Sequence, residues 1–114
     1  MVIVLDVASS GGGHPKKIAR RVLFGQSITG LGVADETHRE TNRVAESVIR
    51  RVSRGTALVI DPARTFMDDS QFWPAVVDGL VMYRDYSHLT AEGSLRAAPL
   101  FEHMFMRLKQ NKDL

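Results

Sequence analysis

A carboxylate and an imidazole stand three residues apart in this chain, at Asp85 and His88, just before a pattern that predicts a long helix. In hydrolases that use a serine nucleophile, a histidine takes the proton of the hydroxyl group, and an acid orients the histidine and stabilises its charged form. Such a pair can supply a general base, His88, and its orienting carboxylate, Asp85. The spacing alone nevertheless favours a structural role, in which the aspartate caps a helix and the histidine packs against the loop.

Two short apolar runs predict the strands that would position such a site. Residues 2–5 and residues 56–60 are rich in β-branched side chains, and they are ended by Asp6 and by Asp61 with its following proline. Runs of this kind are typical of parallel strands that are buried on both faces. Ligands bind at the carboxyl ends of such strands, so we expect Asp61 at the edge of a cleft. There it would serve as a turn and cap residue, or it would support the catalytic loop.

Two helical patterns lie between the two predicted strands. The first helix, which has a proline at its start, is predicted to bury Ile18, Val22 and Leu23. Residues 35–54 predict an amphipathic second helix, whose acidic start and arginine-rich end complement the helix dipole. Its predicted buried face consists of Val44, Ala45, Val48, Ile49 and Val52. His38 is predicted on the solvated side of this helix, with no neighbour that would complete a metal site.

The last third of the chain predicts a hairpin followed by a helix. An Asp-Gly pair at residues 78–79 lies between apolar runs and favours a tight type I′ turn. Thr90 is the predicted N-cap of the last helix, and Pro99 is expected to kink or restart that helix. The predicted buried face of this helix consists of Leu95, Ala98, Phe101, Phe105 and Leu108. Residues 109–114 are expected to fray.

Two irregular segments remain between these elements. The glycines at residues 11–13 follow the first strand, an arrangement that invites a phosphate-binding interpretation, but the Gly-Lys-Ser/Thr ending of a P-loop is missing. The more ordinary interpretation is a loop on the side of the cleft. The second segment carries large side chains that either cover the core or line an acyl or sugar pocket, and core cover is the commoner role. These side chains are Phe66, Met67, Phe72 and Trp73.

Length and composition limit the class of protein. A chain of 114 residues forms at most one domain, and 44% hydrophobic with 25% charged residues is typical of a globular protein. The formal charge of +2 is too small to indicate a nucleic-acid partner. The absence of cysteine excludes disulfides and thiolate metal sites, and the pattern predicts neither a cofactor nor a metal. No apolar run approaches the roughly 18 residues that a membrane span requires.

Four blocks of the sequence resemble, in order, the C-terminal half of the SGNH hydrolase domain: residues 59–64, 68–70, 76–79 and 83–93. More narrowly, they resemble the SGNH domain attached to membrane acyltransferases that O-acetylate bacterial surface polysaccharides. The resemblance implies an α/β fold, a partial three-layer αβα arrangement of flavodoxin-like SGNH type, with a short parallel sheet, a β-hairpin and a long C-terminal helix. It also implies that Asp85 and His88 complete a catalytic triad that acts on an acyl ester or a sugar.

The chain departs from the family at the nucleophile. The family's serine lies in a Gly-Asp-Ser block after the first strand, and later Gly and Asn blocks supply oxyanion donors; this sequence has none of the three. Ser9 and Ser10 follow a predicted strand but lack that block. We therefore expect residues 1–114 to be a single, incomplete SGNH-like domain that is inactive alone. Its expected partners are the missing N-terminal half or a membrane acyltransferase domain, with a periplasmic location in that case and a cytoplasmic one if the chain is expressed as written.

Two other functions stay open from the sequence. The first is a non-catalytic remnant or interaction module that keeps the second half of the fold. The second, weaker alternative is a phosphate or nucleotide binder that uses residues 11–13. In either case an incomplete parallel sheet would leave a strand edge and an apolar face uncovered, so we expect self-association.

Overall fold

The fold is mixed α/β, as the sequence predicts. The computed structural model describes residues 1–112, so the predicted frayed tail is helical over its first four residues, and Asp113 and Leu114 lie outside the described part. The described strands are β1 Val2–Val4, β2 Gly32–Ala34, β3 Leu58–Ile60, β4 Phe72–Pro74, β5 Val76–Val77 and β6 Leu80–Val81. The described helices are α1 Pro15–Leu23, α2 Asp35–Val52, α3 Ala63–Phe66, α4 Ala91–Leu95 and α5 Ala98–Lys112.

The two strands predicted from apolar runs pair with each other. β1 and β3 are parallel, with Ile3 opposite Val59, and the N–H of Leu5 extends the ladder by donating to the carbonyl oxygen of Ile60 at 2.8 Å. The expectation that they are buried on both faces is wrong, because Val4 is exposed and β3 is only half-buried throughout. Within the described chain each of these strands has one hydrogen-bonded neighbour and incomplete helical cover.

A second strand pair was missed by the sequence patterns. β2 and β4 are antiparallel, with Val33 opposite Trp73, although the sequence patterns predict a strand in neither segment. Gly32 permits this pairing, because its φ is +146° and a Cβ there would overlap the carbonyl oxygen of Trp73.

The predicted hairpin is confirmed: β5 and β6 pair, and Asp78 and Gly79 both have positive φ, as a type I′ turn requires.

The core forms two clusters of buried side chains. Around Trp73, which is 1% exposed, lie Ala8, Ala63 and Phe66, so the prediction that the aromatic segment covers the core is confirmed. The indole N–H of Trp73 donates to Oδ1 of Asp35 at 2.8 Å, which satisfies its buried polar group. The second cluster consists of Ile18, Leu31, Ala75, Met82 and Tyr83. Leu89 packs against both clusters and so places the neighbouring His88 at their junction.

The predicted buried face of α2 is wrong. Val44 is 71% exposed and Val52 is also exposed, whereas His38, predicted to be solvated, is only 7% exposed. The His38 ring packs edge-on against Trp73 with 5.0 Å between centroids. The first half of α2 contacts the Trp73 cluster, so its polar stripe faces inward there, and the apolar stripe of the second half faces solvent. In α1 only Ile18 of the three predicted core residues is buried.

The last helix is interrupted where Pro99 predicts it. α4 ends at Leu95 and α5 begins at Ala98, so Pro99 occupies the first turn of α5, where its missing N–H costs no hydrogen bond. The predicted buried face is wrong, because Leu95 and Phe105 are exposed, whereas Met104 is buried and Leu100 is half-buried. The interruption breaks the helical period, so a stripe counted across it does not identify the inward face of α5.

Candidate active site

Asp85 and His88 lie on a short loop that is closed by backbone hydrogen bonds. Tyr83 and Leu89 form an antiparallel bridge at its base, and the N–H of Arg84 donates to the carbonyl oxygen of His88 at 2.8 Å. Inside the loop, Oδ1 of Asp85 accepts the backbone N–H of Ser87 at 2.9 Å and that of His88 at 2.8 Å. The aspartate therefore fixes the turn through its own side chain.

The structure brings the two predicted side chains together. Nδ1 of His88 lies 2.9 Å from Oδ2 and 3.0 Å from Oδ1 of Asp85. Because the carboxylate can only accept, the neutral imidazole carries its proton on Nδ1 and leaves Nε2 as the basic nitrogen. The His88 side chain is 64% exposed, so its ring is accessible to a substrate.

The carboxylate of this pair is held ionised. The backbone N–H groups of Ser87 and His88, together with the adjacent imidazole, lower the pKa of Asp85 to about 2. Hydrogen bonds to a carboxylate favour its charged form. At neutral pH Asp85 can therefore orient the imidazole and offset the charge of an imidazolium.

The base of the loop is fixed by Thr90 and Gly93. As predicted, Thr90 is an N-cap: its Oγ1 accepts the N–H of Gly93 at 2.9 Å and donates to the carbonyl oxygen of Val81 at 2.7 Å. Gly93 packs directly on the Met82 carbonyl group, and a Cβ there would overlap it. Beside them, burial and the charge of Asp6 raise the pKa of the Tyr83 phenol to about 12. The residues that support the loop are therefore closely packed, and the Tyr83 phenol stays uncharged at neutral pH.

None of the serines near the loop occupies the position of a nucleophile. Ser10 is fully buried and its backbone N–H donates to the Tyr86 carbonyl oxygen at 2.9 Å, so the segment after β1 touches the Asp85–His88 loop. Its hydroxyl has no hydrogen-bond partner among the described residues. Ser87 Oγ lies 3.4 Å from Nδ1 of His88, the nitrogen that Asp85 already engages. Over residues 1–112, no hydroxyl group is hydrogen-bonded to Nε2.

Asp61 has a structural role at the end of β3. Its Oδ1 accepts the N–H of Ala63 at 3.0 Å, and its Oδ2 lies 2.8 Å from Nη2 of Arg39. Arg39 also pairs with Asp35 and Glu46 of its own helix. Asp61 thus makes a tight turn with the first residue of α3 and ties β3 to α2, which matches the interpretation as a turn residue.

The glycine segment after β1 is explained by packing. Residues 11–13 form a 3-10 turn in which the N–H of Gly13 donates to the carbonyl oxygen of Ser10. A Cβ at Gly13 would overlap the side chain of Ala75, and one at Gly11 would press on the Gly32 carbonyl oxygen. These glycines permit close contact with β2 and the hairpin.

The sequence patterns gave no sign that His14 approaches this loop. Its ring lies 5.8 Å, between centroids, from that of Tyr86, which stands between Asp85 and His88 in the chain. The contact joins segments more than 70 residues apart, so no local motif could have revealed it.

Among the described side chains, no group of three or more His, Asp and Glu residues converges as a metal ion would need. None of the described helices is long and apolar enough to cross a membrane.

Comparison with known families defines the class of protein. A family model described as "SGNH domain (fused to AT3 domains)" matches residues 1–103. Because the match covers most of the chain, including the first half where the motifs gave little signal, the chain belongs to this family. Its ancestry is therefore that of an SGNH-type acyltransferase or esterase. Searches of curated proteins and of solved structures found no significant match.

Proposed function

We propose that this chain carries the acid and base groups of an SGNH-type acyltransferase or esterase that acts on O-acyl groups of a surface polysaccharide. The observation that supports it most is the contact of 2.9 Å between Nδ1 of His88 and Oδ2 of Asp85, which leaves Nε2 as the basic nitrogen of an exposed side chain. The pair has the orientation that a Ser-His-Asp triad needs. Family membership supports the reaction class.

In the proposed reaction, Nε2 of His88 takes the proton of a serine hydroxyl as its oxygen attacks the acyl carbonyl carbon. The imidazolium, stabilised by Asp85, then returns the proton to the departing alcohol oxygen, and an acyl-serine remains. In the second half the same nitrogen deprotonates a sugar hydroxyl or water, whose oxygen attacks the carbonyl carbon of the acyl-serine. The bond between the acyl group and the serine oxygen then breaks, and the imidazolium returns its proton to that oxygen. We propose that the serine comes from outside these 114 residues, because no described hydroxyl is hydrogen-bonded to Nε2.

The test is esterase activity on a short-chain aryl ester and on an O-acetylated polysaccharide. Two proteins are compared: the 114-residue chain, and the chain extended by the preceding codons of its own genomic locus. We expect turnover only from the extended protein. His88→Ala should lower its kcat/KM by about 10⁴-fold or more, as for removal of a triad base.

His103→Ala is the matched control, because His103 is an exposed histidine of α5 outside the loop. Its activity should equal that of the parent. If neither protein turns over ester, the proposal is wrong, and the non-catalytic interaction module becomes the better account of this chain.

A further inference from the structure

An open groove of about 470 Å³ runs along the exposed side of α1. Its lining consists of His14, Lys16, Lys17, Arg20, Arg21 and Gln26. No carboxylate lines it, and within residues 1–112 Lys16, Lys17 and Arg20 form no ion pair. Since the whole chain has a formal charge of only +2, this concentration of cations is local. A groove of one sign attracts ligands of the opposite sign.

The groove contacts the proposed catalytic loop through His14 and approaches it through the neighbouring 3-10 turn. The His14 ring lies 5.8 Å from the Tyr86 ring, between centroids, and Tyr86 stands between Asp85 and His88. Lys17 folds back over the 3-10 turn, where its Nζ comes within 3.9 Å of the position of a Cβ on Gly12. That turn begins after Ser10, whose N–H donates to the Tyr86 carbonyl oxygen. A ligand in the groove would therefore reach the loop that carries His88.

Apart from the Gln26 amide, which can also accept, the groups that the groove offers to a ligand are donors. His14 Nδ1 accepts the backbone N–H of Lys16 at 3.1 Å, so the neutral ring keeps its proton on Nε2. Lys and Arg have no acceptor atoms, and Arg21 uses one N–H group to hold the carbonyl oxygen of Ser27 at 3.0 Å. Such a set matches the acceptor oxygens of carboxylate or phosphate groups. The exposed phenol ring of Tyr86 offers a flat surface against which a sugar ring can pack.

We propose that this groove binds the acyl acceptor through negative charges on that acceptor, as carboxylate or phosphate groups of a glycan. The identity of the ligand as the acyl acceptor rests on the proposed function, whereas the binding of an anionic glycan in the groove does not. A membrane surface fits less well, although Val22, Leu23 and Phe24 are exposed at the far end of α1. They lie about two turns, or roughly 13 Å, from the contact with Tyr86. The cations instead line an open groove that begins at that contact.

The test is calorimetric titration of the 114-residue protein with three oligosaccharides of equal length: a neutral maltooligosaccharide, an oligogalacturonate and a phosphorylated maltooligosaccharide. We expect at least one anionic ligand to bind, with an affinity that falls as salt rises. The variant Lys16→Gln/Lys17→Gln/Arg20→Gln should bind about tenfold more weakly or worse. The control Arg51→Gln/Arg54→Gln/Lys109→Gln removes the same charge from exposed positions elsewhere and should bind as the parent does.

The outcomes separate the alternatives. Binding of the galacturonate alone identifies carboxylates as the recognised groups, and binding of the phosphorylated sugar alone identifies phosphates. Equal affinity for neutral and anionic sugars, or equal loss in both triple variants, overturns the inference. Tighter binding to phosphatidylglycerol vesicles than to any oligosaccharide, lost with the α1 cations, also overturns it in favour of a membrane surface. Because calorimetry needs no turnover, a failed esterase assay would overturn the proposed function but not the glycan site.

Discussion

Asp85 performs two tasks with one carboxylate. Oδ1 accepts the backbone N–H groups of Ser87 and His88, and both oxygens lie within 3.0 Å of the His88 imidazole. The first task shapes the turn, and the second would orient a base. A substitution that preserves the acceptor oxygen but removes the charge can separate them.

Asp85→Asn makes this separation. The amide oxygen can still accept the two backbone N–H groups, so we expect the fold to be kept, with a lower melting temperature because a neutral amide accepts these bonds more weakly than the ionised carboxylate. In the extended protein, however, kcat/KM should fall by about 10⁴-fold, because a neutral amide does not stabilise an imidazolium. Nitrogen NMR of the isolated chain should show that His88 loses its preference for the Nδ1–H tautomer. The control Asp69→Asn, in an exposed loop, should change neither kcat/KM nor the His88 tautomer. Unchanged turnover in Asp85→Asn would contradict the role assigned to Asp85.

The free energy of unfolding should depend on pH through the lowered pKa of Asp85. Its pKa is lowered to about 2 from an ordinary value of 3.8, so the unfolded chain takes up this proton first as pH falls. The stabilisation is therefore complete above pH 3.8 and is lost as pH falls towards 2. In urea denaturation, the difference in unfolding free energy between the parent and Asp85→Asn should be constant near neutrality and shrink across that range. A difference that grows with acid would contradict it.

At the scale of elements, Gly93 determines how α4 meets the hairpin. Alanine normally stabilises a helix by up to about 1 kcal/mol relative to glycine. Here the added Cβ would overlap the Met82 backbone carbonyl, which cannot move like a flexible side chain. We expect Gly93→Ala to lower the free energy of unfolding by about 1 to 3 kcal/mol. Urea denaturation measures it, and Ser94→Ala, exposed on the same helix, is the control. A Gly93→Ala variant as stable as its parent would show that the Met82 backbone shifts to accommodate the added Cβ.

Arg39 joins α2 to the end of β3. It lies within 2.8 Å of Asp61, 3.2 Å of Glu46 and 3.4 Å of Asp35, so its removal leaves three carboxylates close together. Because the side chain is one-third exposed, we expect Arg39→Gln to cost an intermediate amount, about 1 to 3 kcal/mol. Arg43→Gln removes only an exposed pair at 3.8 Å and should change stability by less than about 0.5 kcal/mol. Equal effects in thermal unfolding would contradict the assignment.

The sequence predicts elements whose geometry is local. The Asp78-Gly79 turn, the Thr90 cap and the approach of Asp85 to His88 each depend on a few consecutive residues, and each is present. The inward faces of α2 and α5 were predicted wrongly. A helical period identifies a stripe of apolar residues but does not identify which element packs against the helix. His38 is buried against Trp73, a contact that only the antiparallel pairing of β2 with β4 creates.

At the scale of the whole molecule, the chain is open for its size. Its accessible surface is 7988 Å², whereas a compact chain of this mass exposes about 6,200 Å². Its radius of gyration is 16.1 Å, against about 13 Å for a compact domain of this length. Part of the surplus is apolar, including Val44 and Val48 of α2 and Phe101 and Phe105 of α5. Such a surface is typical of proteins that bind another protein.

We therefore expect the 114-residue chain to associate with itself as concentration rises. Sedimentation velocity should show a larger mean mass at higher concentration, because apolar side chains on α2 and the free edge of β1 find partners. Val44→Gln/Val48→Gln should shift this association to higher concentration. Leu23→Gln, which changes an exposed apolar residue of α1, should shift it less. A parent that stays monomeric with a single sharp unfolding transition would contradict this expectation.

The bonds that shape the Asp85–His88 loop join residues close together in the chain. The N–H of Thr90 donates to Met82, that of Arg84 to His88, and that of Gly93 to Thr90, all within twelve residues. The hydrogen bonds that shape the loop are therefore local, and Ser10 and Leu89 connect it to the rest of the chain. The approach of Asp85 to His88 therefore depends first on residues 82–93.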